Sequence, residues 1–146
     1  MSPSQKNPVV VPPAKPLKFG CSNGRLVAEV LDDKHMTQLR ALHVEGKNSL
    51  FYELSVIFRR EATPRISILH QAVAARDAAE VARLAHAFVG STASIGARQM
   101  QCAMKAVELA AISSEWTKVE EILVYIDSAW ARLLAALERC DREEGM

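Results

Sequence analysis

Turn-forming and sheet-favouring residues are scarce in this chain. Its 146 residues include six glycines and six prolines, and five of the prolines (Pro3, Pro8, Pro12, Pro13, Pro16) crowd the first sixteen positions. Aromatic residues are only 5%, which leaves the core to Leu, Ile, Val, Ala and Met. Such a composition is poor material for a β-sheet. No run of ~18 apolar residues occurs, so a bilayer-spanning helix is not expected. Val9-Val10-Val11, closed by Pro12-Pro13, is too short for the apolar core of a secretory leader. The three cysteines, Cys21, Cys102 and Cys140, are odd in number and lie at neither zinc-ligand nor redox spacing. They predict a reduced, intracellular setting. With a formal net charge of +1, there is no single-signed field to suggest a nucleic-acid or membrane surface.

What is present is helical. Apolar residues are 49% and charged residues 24%, enough for a packed core and too apolar for a disordered chain. Residues 1–24 read as a flexible, proline-rich tail with no helical period. A bundle domain is expected over 25–140, followed by a short C-terminal tail, 141–146. Within the domain, Asp32 or Asp33 caps a segment reaching about Val44, with Met36, Leu39 and Leu42 on its apolar side. The next segment carries Phe51, Leu54 and Phe58. Thr63-Pro64 then either starts a new helix or kinks a long one, and Ile66, Leu69 and Val73 continue the stripe. Asp77 with Glu80 is a capping-box pattern that starts a helix at Ala78, and Gly96 ends it. Met100, Ala103, Met104 and Val107 mark the next helix. Ser113 or Ser114 is expected to cap the last one, whose stripe is Val119, Ile122, Leu123, Ile126, Trp130, Leu133 and Leu137. The expected fold is all-α: an up-and-down antiparallel four-helix bundle with one or two additional N-terminal helices.

The helix over 78–95 departs from a plain bundle helix. At 100° per residue, Val81, Leu84, Ala85, Phe88, Thr92 and Ile95 share one buried stripe, and His86 lies roughly 150° from its centre. Ala79, Ala82, Gly90 and Ala93 fall within about 40° of His86 on the same wheel. A solvent-facing stripe usually carries long charged side chains, whereas here small residues surround an outward imidazole. Gly90 costs roughly 1 kcal/mol in a helix interior. By spacing alone two readings stand: an ordinary surface histidine among abundant alanines, or an accessible imidazole on a surface where a partner can approach.

The stretch from Ala85 to Ala97, Ala-His-Ala-Phe-Val-Gly-Ser-Thr-Ala-Ser-Ile-Gly-Ala, resembles the signature of histidine-containing phosphotransfer (HPt) proteins. Leu31-Asp32-Asp33, then Leu39 and Leu42, then Asn48, Phe51 and Phe58, resemble the opening helices of the plant-type branch. The likeness runs from about residue 31 to 138. It implies a helical phosphorelay intermediate that accepts a phosphoryl group on His86 from a receiver aspartate of a hybrid sensor histidine kinase. The group then passes to the receiver of a response regulator. It further implies a phosphocarrier without turnover of its own and without a cofactor, the Mg²⁺ residing on the receiver. Ala79, Ala82, Val89, Gly90 and Ala93 become the expected docking surface. A monomer is expected, cytoplasmic and, at 16.1 kDa, small enough to reach the nucleus. The plant-type likeness implies cytokinin-type signalling.

Two positions depart from the signature. The lysine three residues after the histidine is Val89, and the glutamine directly after it is Ala87. Arg83, one turn before His86, is the candidate replacement for that cation. Ser91 and Thr92 match the paired hydroxyls, with Thr92 expected to bond a backbone carbonyl one turn back. Two other readings stay open: a receiver-docking protein that carries no phosphate and inhibits the relay competitively, and a purely structural helical module. His35, His43 and His70 share no metal-ligand spacing, and no metal site is expected.

Overall fold

The computed structural model describes residues 29–43 and 45–144; the tail expected over 1–24 lies outside these. Five helices follow one another among the described residues: α1 (Asp33–Arg40), α2 (Leu50–Ala74), α3 (Ala78–Ile95), α4 (Arg98–Ile112) and α5 (Trp116–Glu144). No strand occurs among the described residues. α2 packs on α3 and α5, and α4 packs on α3 and α5. The four long helices thus close a ring around one core, with α1 added against α2. This is the expected four-helix bundle with one extra N-terminal helix. No described helix is long and apolar enough to cross a membrane.

The three hairpin turns share one geometry. Arg76, Gly96 and Ser114 have positive φ (55°, 79° and 56°) just past the ends of α2, α3 and α4. Each donates its N–H three residues back, to Val73, Ala93 and Ala111. The next residue donates five back: Asp77 to Ala72, Ala97 to Thr92 and Glu115 to Ala110. This double closure satisfies carbonyls that a helix end leaves unpaired. It also corrects the expected serine cap of α5, because Ser113 and Ser114 close α4 instead.

Asp77 caps α3 by accepting from the Glu80 N–H, as its spacing predicts. Thr63-Pro64 does not open a new helix: Pro64 lies inside α2, where it removes one helical donor. The Thr63 hydroxyl donates to the Arg59 carbonyl at 2.8 Å.

α1 is shorter than expected. It stops at Arg40, and Leu42 is 57% exposed, because the chain turns there: Leu42 donates to Leu39, and Leu50 donates back to Leu42. α5 is longer, and residues 141–144, expected as tail, are helical. Their side chains explain it. Arg59 donates to Asp141, while Glu144 takes the Ser49 N–H at 2.9 Å and its hydroxyl at 2.7 Å. The C-terminal turn is thereby tied to the start of α2.

The core is mainly aliphatic, as composition required, with Phe51, Phe58 and Phe88 as its buried rings. Met100, Met104, Val107, Ile122, Ile126, Leu133 and Leu137 are all at most 1% exposed. Trp130 is half-buried against Phe58, ring centroids 5.9 Å apart. The thiols of Cys102 and Cys140 are buried; burial pushes the Cys140 thiol up. The Arg76 guanidinium covers the Trp116 ring, in the first turn of α5, at 5.3 Å.

Candidate functional site around His86

α3 buries Val81, Leu84, Ala85, Phe88, Thr92 and Ile95, the six residues that the wheel places on its inner stripe. His86 therefore points outward, and its side chain is 72% exposed. Thr92 is held inside, its hydroxyl donating to the Phe88 carbonyl at 2.6 Å. The Ser91 hydroxyl donates to the Ala87 carbonyl at 3.2 Å. Both hydroxyls thus serve the helix backbone one turn back.

The imidazole is anchored from α4. Its Nδ1 lies 3.0 Å from Oε2 of Glu108, whose side chain is only 13% exposed. A carboxylate can only accept, so Nδ1 carries the hydrogen and the Nε2 lone pair is directed away from α4. The second carboxylate oxygen, Oε1, is shielded from solvent and has no hydrogen-bond partner. Lys105 Nζ stands 3.6 Å from it, beyond hydrogen-bond range but within ion-pair reach, on a side chain that is 50% exposed. Lys105, Glu108 and His86 thus form a short chain of charge across the α3–α4 contact.

Glu108 and Lys105 were absent from the sequence-based site. Glu108 carried a readable signal: with Met104 at zero on the wheel it falls at about 40°, beside the buried stripe. Carboxylates are rarely that enclosed without a partner. Lys105 gave no such signal, being one exposed lysine on a helix.

The five residues of the expected landing surface differ in exposure. Ala79 and Gly90 are exposed, while Ala82, Val89 and Ala93 are half-buried; Ala82 and Val89 lean on the core. A Cβ added at Gly90 would meet nothing within 4 Å. The glycine is therefore not required by contacts inside the molecule. At Gly96 the reverse holds, since a Cβ there would come within 3.0 Å of the His35 ring.

Arg83 is not brought to His86. Its Nε and Nη2 grip the two oxygens of Glu80 at 2.8 and 2.6 Å. Arg83 holds the Glu80 carboxyl below the usual carboxylate range. This fork lies over the N-terminal turn of α3, the direction in which helical side chains lean.

The remaining histidines serve other ends. His35 Nε2 meets the Ser94 carbonyl at 2.9 Å, and His70 Nε2 meets Asp127 at 2.7 Å. His43 is exposed between α1 and α2. Among the described residues, no group of three or more His, Cys, Asp or Glu side chains is gathered as metal ligands would be.

The family model of the Hpt domain matches residues 53–140, from the first turns of α2 to the last turns of α5. No curated protein and no solved structure matches the chain. A match over more than half of the sequence, on the bundle that carries the outward histidine, settles the family: this chain belongs to the Hpt-domain proteins, the phosphocarriers of two-component phosphorelays.

Proposed function

We propose that His86 is the phosphoacceptor, taking a phosphoryl group from a receiver aspartate of a hybrid sensor kinase and passing it to a response-regulator receiver. The observation that carries this reading is the arrangement of one ring: 72% exposed, with Nδ1 held by Glu108 and Nε2 free to react.

The chemistry follows from that geometry. The Nε2 lone pair attacks phosphorus of the incoming aspartyl phosphate. The N–P bond forms as the P–O bond to the aspartyl carboxylate breaks, and the carboxylate leaves with the electron pair. No proton moves, because the attack uses the Nε2 lone pair and leaves the hydrogen on Nδ1. The ring gains positive charge in the step, and Glu108 is placed to balance it. Onward transfer is the reverse reaction with a second receiver. Each step needs a receiver, which supplies the Mg²⁺ and the leaving or accepting carboxylate. The chain is then a carrier without turnover of its own.

The surface suits repeated docking. Ala79, Ala82, Val89, Gly90 and Ala93 raise nothing tall around the ring, and open space over Gly90 lets another backbone approach closely. The likeness of the 31–58 segment to the plant-type branch extends the proposal to cytokinin-type signalling, in the cytoplasm and nucleus. A monomer suffices for this role.

A second reading rests on Val89, which stands where the family signature has lysine. If that loss abolished transfer, the protein would occupy receivers and inhibit the relay. The test is incubation with a phosphorylated hybrid-kinase receiver, scoring acid-labile, base-stable label. Label lost in His86→Gln supports the carrier. Binding without label supports the inhibitor, and neither label nor binding leaves only a structural helical module.

A further inference from the structure

Transfer at His86 brings a phosphoryl group with about two negative charges to a site that starts close to neutral. Arg83 is cancelled by Glu80, and Lys105 is cancelled by Glu108. Stabilising the added charge requires a cation that can leave its present partner. The two candidates differ sharply in how they are held. Arg83 makes two short hydrogen bonds in a planar fork, a geometry that matches a carboxylate well. Lys105 makes no hydrogen bond to Glu108, only an ion pair at 3.6 Å, and its side chain is half exposed on a flexible stem.

Their placement differs too. The His86–Glu108 contact fixes how the antiparallel helices α3 and α4 lie side by side. Three residues onward in α3 is Val89, and three residues back in α4 is Lys105, so the two come level. The cation missing from position 89 of α3 is thus available across the helix pair, at position 105 of α4. Arg83 instead lies one turn before His86 and leans further away from it.

We propose that Lys105 is the cation that supports the phosphoryl group on His86. In the resting protein its ammonium rests against Glu108; on phosphorylation it turns to a phosphoryl oxygen, and Glu108 stays with Nδ1. This rests on His86 being the phosphoacceptor, and the experiment separates the two claims.

The full-length protein is phosphorylated with phosphoramidate, a small donor that needs no docking, and followed by ³¹P NMR; transfer to and from a receiver is then timed. Absence of N-phosphohistidine in the wild type would contradict His86 as acceptor, independently of Lys105. Given that signal, Lys105→Met is expected to slow receiver-to-His86 transfer about tenfold, the size of one solvent-screened charged contact. Lys105→Arg is expected to restore most of the rate. Arg83→Met is expected to cost less than about threefold. The ¹⁵N spectrum of the His86 ring should keep its Nδ1–H form in Lys105→Met, which separates charge support from ring positioning. The proposal is overturned if Lys105→Met transfers as fast as wild type, if arginine gives no rescue, if Arg83→Met loses more than Lys105→Met, or if the ring changes tautomer.

Discussion

At the residue scale the candidate site is one imidazole and the carboxylate beside it. Glu108 enforces the Nδ1–H form through a single 3.0 Å contact. Glu108→Leu is therefore expected to slow transfer about tenfold, the equivalent of about 1.4 kcal/mol, while the bundle keeps its helical circular dichroism. An unchanged rate would show that the ring needs no orienting. Gly90 separates folding from docking. It lies inside α3 with open space over it, so Gly90→Ala should stabilise the fold by about 0.5–1 kcal/mol and at the same time slow transfer from a receiver. A thermal melt and a transfer assay on one variant read both effects; faster or equal transfer would mean that no partner approaches this position. His86 was legible in the sequence because burial on a helix follows a period of 3.6, which puts the ring outside. Its anchor was harder to see, because Glu108 meets His86 only once α3 and α4 are packed.

At the element scale, legibility followed the local signals. Asp77 and Gly96 bracket α3, one a side chain that accepts from an N–H, the other a residue free to adopt positive φ. Both effects are written in two or three adjacent residues. Ser113 and Ser114 misled because serine suits a helix start, whereas here Ser113 is the C-cap of α4 and Ser114 takes the left-handed φ that closes it. That closure offers a test. A non-glycine residue in the left-handed region costs roughly 1–2 kcal/mol, and Ser114 makes no described side-chain contact that would offset it. Ser114→Gly should raise stability by up to about 1 kcal/mol, the gain being reduced by the extra freedom of the unfolded glycine. Urea unfolding measures it, and a loss of stability would contradict the shared-turn account. Arg76, at the equivalent turn, is a poorer choice, since it also covers the Trp116 ring and pairs with Glu120 at 2.8 Å.

At the scale of the whole molecule, long-range polar contacts fasten the first and last described helices to the bundle. The Asp32 N–H donates to the Gly96 carbonyl at 2.8 Å, and Arg98 reaches its carboxylate at 3.0 Å. These hold α1 on the α3–α4 turn although no residue of α1 is fully buried. The His35 N–H, followed by Arg98, holds the Asp32 carboxyl below its ordinary value of 3.8. The sign is that of a depressed acid: the stabilisation is complete above that ordinary value and is lost as pH falls through the lowered folded value. Amide exchange in α1 should therefore accelerate in acid before that of α4, and Asp32→Asn should remove the difference. Uniform protection down to acid unfolding would contradict it. Asp141 works with the opposite sign, since burial pushes its carboxyl up against the pull of Arg59. The side-chain contacts of Asp32, Asp141 and Glu144 join residues 66 to 95 positions apart, which is why the sequence misjudged the ends of α1 and α5 while the bundle between them was readable from its stripes. Near-neutral net charge also belongs to this scale: under the proposed function, docking on receivers in turn has no use for a strong field of one sign.

The central claim is that His86 carries the phosphoryl group. Its most direct test is transfer from a phosphorylated hybrid-kinase receiver to the full-length protein, with the site of label read by His86→Gln. Acid-labile, base-stable label is expected on the wild type and absent from a folded His86→Gln variant. Label that persists in His86→Gln, or a wild type that binds the receiver and takes up none, would contradict it.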